Sequence, residues 1–117
     1  MTSKTTTTPG KAIYELIIEA ERHNRRDLRS DVRLPFFRPL SINTADGHSF
    51  TAFSRDISSF GIGFIHNMEL SPGDVQIRIS SERGHTVIVP THIRWCQSCG
   101  EGWYISGGEF IGSAVID

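Results

Sequence analysis

The sequence predicts a mainly β fold: a small antiparallel barrel of six strands preceded by one helix. Three observations carry this. From Phe37 onward, apolar and polar residues alternate in short runs, the period-2 signature of strands with one buried face. Turn signals separate the runs at close intervals, and short strands so spaced favour closure, which removes exposed edges. Residues 11–24 instead carry apolar side chains at helical spacing.

At 117 residues, 38% apolar and 21% charged, the chain is one domain of ordinary globular composition with room for a modest core. A net charge of −1 argues against a nucleic-acid polymer as partner. The basic residues are nevertheless clustered. Six arginines lie from Arg22 to Arg38 against two aspartates, a balance suited to a compact anion. No apolar run reaches membrane-spanning length, and Met1–Thr8 lacks the apolar centre of a secretory leader. A cytoplasmic location without membrane insertion is expected. Cys96 and Cys99 are too few for a disulfide framework.

Residues 1–10, Thr-rich and ending in Pro9-Gly10, are expected to form a disordered tail. Residues 11–24 form an amphipathic helix: Ile13, Leu16, Ile17 and Ala20 share a face, and Asn24 suits its end. Residues 25–36 are arginine-rich, poor in apolar side chains and closed by prolines, which predicts a linker without fixed structure of its own. The barrel spans 37–112. Leu40 and Ile42 mark its first strand, and Asp46-Gly47 its first turn. Phe50–Arg55 is the second strand, Ile62 and Phe64 mark the third, and Val75, Ile77 and Ile79 the fourth. Ser71–Asp74 and Glu82–Gly84 are turns. Val87, Val89, Thr91, Ile93 and Trp95 share one face of a long fifth strand, in which Pro90 implies an edge or a bulge. Cys96–Gly102 is expected to loop, and Trp103–Phe110 to be the last strand.

Two segments carry chemistry. The first is Arg25-Arg26-Asp27-Leu28-Arg29-Ser30-Asp31-Val32-Arg33, which contains Arg25-x-x-x-Arg29 and Arg29-x-x-x-Arg33. The second, Asp56-Ile57-Ser58-Ser59-Phe60-Gly61, reads D-x-S-x-x-G and starts 23 residues after Arg33. In isolation each has an ordinary reading, a solvated linker and a polar turn. Together, in this order, they resemble the two nucleotide-binding motifs of the PilZ domain, a bacterial receptor module for cyclic di-GMP. The resemblance runs from about Arg25 to Gly112 and includes Arg94-Trp95 and Gly107-Gly108-Glu109-Phe110-Ile111-Gly112.

That resemblance implies a split-barrel type of six-stranded fold and a cyclic di-GMP site formed by Arg25, Arg26, Arg29, Arg33, Asp56, Ser58 and Gly61. The chemistry is consistent. An arginine fork can donate two hydrogen bonds to guanine O6 and N7 or to phosphate, and can stack on a purine. An ionised Asp56 can accept from guanine N1–H and N2–H₂. Ser58 can donate to phosphate or hold the turn, and Gly61 permits a close approach. The arginines allow two registers. Counting back from Pro39-Leu40 favours Arg29 and Arg33 as the pair, with Arg25 or Arg26 accessory. Many members of the family carry a C-terminal helix that plugs the barrel. Here the chain ends at Asp117, and the helix at 11–23 is expected to substitute.

The remaining signals are weaker. Cys96-x-x-Cys99 supplies two of the four ligands zinc needs and opens no helix, so a structural or incidental role is expected, with no metal. Trp95 and Trp103 are expected to pack in the core or a loop. No H-E-x-x-H or G-x-S-x-G occurs, and no enzyme activity is expected. The chain is expected to need no cofactor, to bind cyclic di-GMP and to signal through a protein partner; a homodimer stays open. The alternative is an interaction adaptor that keeps the barrel without binding nucleotide.

Overall fold

The computed structural model describes residues 5–24 and 33–117. In chain order the elements are β1 (Thr5–Thr7), α1 (Pro9–Asn24), β2 (Leu34–Pro35), β3 (Pro39–Thr44), β4 (Ser49–Ile57), β5 (Gly61–His66), β6 (Gly73–Ser80), β7 (Thr86–Gly100), β8 (Trp103–Phe110) and β9 (Ala114–Ile116).

Six of these strands close on themselves. β3 pairs with β4, β4 with β5, β5 with β8, β8 with β7, β7 with β6 and β6 with β3, every pair antiparallel. The expected six-stranded barrel is therefore present. Its interior is the alternating apolar set: Ile42, Ile57, Ile62, Phe64, Ile77, Ile79, Val89 and Ile93 are buried. Gly47 and Gly84 adopt positive φ in two of the three predicted turns, and both turns close hairpins. Pro90 sits where β7 changes partner, from β9 at Val87–Ile88 to β8 from Thr91 onward. Its missing N–H thus falls in a gap of the ladder, while its carbonyl accepts from Ile111 N.

The helix closes one end of the barrel. Ala12, Ile13, Leu16 and Ala20 are buried there, as the helical spacing predicts. Glu19 is buried too. Its carboxylate accepts from Arg38 Nη1 at 2.8 Å and from the Glu82 backbone N at 3.0 Å. Arg38 Nη1 also donates to Ser80 O at 2.8 Å, and its guanidinium lies 4.8 Å from the Phe36 ring centroid. Arg38, the last of the clustered arginines, therefore ties α1 to the barrel.

Four expectations need correction. Thr5–Thr7, expected in a disordered tail, pair antiparallel with Ala114–Ile116, because β9 offers an open edge beside β7. Leu34 and Pro35, expected in a structureless linker, pair with Ile57 and Asp56 of β4, and burial of Leu34 and Phe36 fixes them there. Cys96–Gly102 is not a loop. β7 runs on to Gly100 and the turn is confined to Gly100–Gly102, where Gly100, Glu101 and Gly102 all take positive φ. Both cysteines are free and three residues apart along a strand, roughly 10 Å at extended rise, too far for a disulfide between them. Trp95 does not face the core; the reason lies in the ladder that builds the site.

Candidate functional site

Two β-bulges and two glycines shape the outer wall of the barrel. In β4 the register slips between Ser54 and Asp56: Ser54 pairs with Phe64, and Asp56 with the next residue back, Gly63. Arg55 is the extra residue. Without it, strict alternation would turn Asp56 into the barrel. In β7 the same slip falls between Ile93 and Trp95, with Arg94 the extra residue, and it turns Trp95 outward. Gly63 and Gly107 are paired with each other across β5 and β8. One outward row therefore reads Asp56, Gly63, Gly107, Trp95.

The glycines make room for their neighbours. A Cβ on Gly63 would sit 2.8 Å from Asp56 Oδ1, and a Cβ on Gly107 would sit 2.5 Å from Trp95 Nε1. The carboxylate and the indole thus lie against bare backbone, facing each other over a glycine floor. Beside that floor, Arg33, Ser58, Phe60, Gly61, Arg94, Trp95, Gly107, Gly108 and Glu109 line an open trough of about 350 Å³. The size lies at the lower end of small-molecule sites.

The charges around the trough are paired. Arg33 Nη1 lies 3.4 Å from Asp56 Oδ1, both side chains partly exposed. Arg94 Nη1 lies 3.1 Å from Glu109 Oε1 across β7 and β8. Asp56 Oδ1 is out of contact with solvent and has no hydrogen bond among the described residues, since 3.4 Å to Arg33 is an ion-pair distance only.

Of the sequence-predicted site residues, Arg33, Asp56, Ser58 and Gly61 come together here, and Arg25, Arg26 and Arg29 lie outside the described residues. Ser58 and Gly61 have evident structural duties. Ser58 Oγ accepts from Phe60 N and Gly61 N, each at 3.2 Å, and Ser58 N donates to Gly61 O at 2.9 Å. A Cβ on Gly61 would lie 2.3 Å from the Gly108 carbonyl oxygen, so only glycine fits against β8. Sequence reasoning misses Arg94, Trp95, Phe60 and Glu109 as lining residues. Alternation sends Trp95 inward; the signal that could place it correctly is Gly107, whose missing side chain receives an indole.

The trough offers two guanidinium forks, the Glu109 carboxylate and two aromatic side chains, Phe60 and Trp95, with the Asp56 carboxylate beside it at Arg33. That set matches a flat heterocycle carrying donors, with an anion attached.

A family model described as PilZ domain matches residues 25–114. The structure of the Bacillus subtilis inhibitor of motility (MotI/DgrA) superposes with a TM-score of 0.59 at 16% identity, covering 74% of this chain and 44% of that one. The present chain thus spans less than half the length of that protein. The crystal structure of the PilZ domain of CeSA from a cellulose-synthesizing bacterium superposes with a TM-score of 0.52 at 25% identity, covering 70% of this chain and 83% of that one. No curated protein matches the chain.

Proposed function

The chain belongs to the PilZ domain family, a family of cyclic di-GMP-binding modules, and from that premise we propose that it is a cyclic di-GMP receptor acting on a partner protein. The observation that carries the reading is the Gly63–Gly107 floor, with Asp56 at one end and Trp95 at the other, and the trough beside it that Arg33, Arg94 and Trp95 line. In this reading Asp56 accepts from a guanine edge and the Trp95 indole offers a stacking face. Arg33 joins Arg29, with Arg25 or Arg26, around phosphate and guanine O6 and N7. Ser58 and Gly61 contribute by holding the turn.

Binding would exchange the Arg33–Asp56 pair for ligand contacts. A partly exposed pair of this kind is worth about 0–1 kcal/mol, so it is a small obstacle. The connection between α1, ending at Asn24, and β2, beginning at Leu34, is the arginine segment itself. A ligand gripped by that segment and by the barrel wall would fix the tether between helix and barrel, and a partner would read the result.

Calorimetry of the purified chain with cyclic di-GMP, cyclic di-AMP and GMP tests this. Adenine lacks O6 and the N1–H and N2–H₂ donors. Cyclic di-GMP should therefore win by about tenfold or more, because a lost bidentate contact costs about 1–3 kcal/mol. Arg33→Ala and Asp56→Asn should each weaken cyclic di-GMP binding. Equal affinity for the two dinucleotides, or no heat at micromolar protein, would sink the receptor reading and leave the nucleotide-independent adaptor.

A further inference from the structure

A second outward row runs beside the site. Pro39 pairs with Phe53, Phe53 with Ile65 and Ile65 with Ile105, so four apolar residues follow one another across β3, β4, β5 and β8 on the face away from the core. Ile65 and Ile105 are each two residues from the glycine floor, about 7 Å along their strands. Phe37 lies on this row. Its ring stacks on Phe53 with centroids 5.6 Å apart and planes within 2°, and it is 74% exposed. Pro35, Phe36, Phe37, Arg38, Ser54, Arg55 and Ile65 enclose a groove of about 660 Å³ there.

The groove is held open by buried hydrogen bonds. Ser54 Oγ donates to Phe36 O at 2.6 Å and accepts from Arg38 N at 2.8 Å, while Phe36 N donates to Arg55 O at 2.9 Å. An ordered aromatic platform left in water is a surface that covering would stabilise. The charge on it has one sign. Arg38 and Arg55 are the charged lining residues. Arg38 is committed to Glu19 and Glu82, whereas Arg55 is exposed and pairs with no acid among the described residues.

We propose that this groove is the docking surface for the partner protein, and that it takes a segment with an aromatic or large aliphatic side chain flanked by carboxylates. The apolar residue would fill the space between the Phe37–Phe53 stack and Ile65, and a carboxylate would meet Arg55, the kind of anchor-plus-charge contact that dominates protein interfaces. A second copy of this chain using the same patch would bring Arg55 and Arg38 again and no acid, so charge disfavours that occupant. The proposal rests on the reading that the chain signals through a partner, and the wall it uses is shared with the ligand site. Pro35 is the Cα partner of Asp56, and Arg55 is the bulge residue that turns Asp56 outward.

The test is selection from a random peptide display library against the immobilised full chain, with and without cyclic di-GMP. Acidic peptides centred on Phe, Trp, Leu or Ile should be enriched. A representative peptide should bind about tenfold more weakly to Phe37→Ser and to Arg55→Glu. Phe37→Ser should keep the melting temperature and the cyclic di-GMP affinity of the parent, since Phe37 lies outside core and trough. The proposal is overturned by enrichment of basic peptides, by no enrichment, by binding indifferent to both substitutions, or by a dimer in sedimentation velocity that Phe37→Ser dissolves. Peptide selection with no cyclic di-GMP binding would leave the groove standing and remove the receptor reading alone.

Discussion

Gly61 and Ser58 belong to the motif that the family resemblance assigns to ligand, yet each is tied into the barrel. With the Gly108 carbonyl oxygen 2.3 Å from the point where a Cβ would sit, Gly61→Ala must push β5 off β8. A loss of about 2–4 kcal/mol in urea unfolding is expected, large for one methyl group. Ser58→Ala removes the acceptor for two backbone N–H groups of the turn and should cost about 1–3 kcal/mol. Affinity losses at these two positions are therefore interpretable only beside their stability. Gly107→Ala separates the two effects. The added methyl group would meet Trp95 Nε1 at 2.5 Å, and the indole can lift outward because it is exposed. Melting temperature should change little, while cyclic di-GMP affinity falls; unchanged affinity would mean that the position of the Trp95 ring is irrelevant to the ligand.

At the level of elements, the strands are legible in the sequence because alternation and turn chemistry are local: β3 through β8 fall where Leu40, Ile42, Phe50, Phe64, Ile77, Val89 and the Gly47 and Gly84 turns put them. The bulges at Arg55 and Arg94 are not. A one-residue slip leaves the apolar count of a strand intact and is decided by the partner strand, so it has no signature in the strand's own sequence. That is why Asp56 is found through its motif while alternation misplaces Trp95. The pairing of β1 with β9 is hidden for a related reason. A Thr-rich segment says nothing about an open edge at the far end of the chain, where Thr7 meets Ala114 and Thr5 meets Ile116. Helix α1 is legible by periodicity, but its anchor is not, because Glu19 meets Arg38 and the Glu82 backbone only in the folded chain. Glu19→Ala takes the closest carboxylate from Arg38, which keeps Ser80 O and Glu82, and removes the acceptor of Glu82 N; it should cost about 1–3 kcal/mol. Amide exchange in α1 should then quicken more than in the barrel. The double substitution Glu19→Leu/Arg38→Met should recover part of the loss, because it removes both charges together.

Across the whole molecule, global stability should depend on pH through His66. This residue is fully buried in the barrel, with the Phe50, Phe64 and Tyr104 rings at 5.9, 5.1 and 5.9 Å. Its Nε2 meets Ser106 Oγ at 2.7 Å, and its Nδ1 faces the Met68 backbone without a well-formed hydrogen bond. Burial disfavours the imidazolium and holds its pKa below the ordinary 6.5. The unfolded chain, with an ordinary imidazole, therefore takes up this proton first as pH falls. Stability from this group is complete above about pH 6.5 and declines below it until the folded pKa is reached. Two carboxylates act in a separate, more acid window. Thr44 and His48 hold Asp46 down to about 2 from 3.8. At Glu15 burial pushes upward, but hydrogen bonds from His85 and Ser81 and the charges of His85 and Arg83 outweigh it, leaving its pKa below 4.5. Their contributions are present above 3.8 and 4.5 and are lost on further acidification. Melting temperature measured from pH 8 to pH 5 should thus fall for the parent chain. In His66→Gln, whatever its overall stability, the part of that slope due to His66 should be absent. Parallel curves for parent and variant would show that His66 takes its proton equally in both states, and that burial does not govern it.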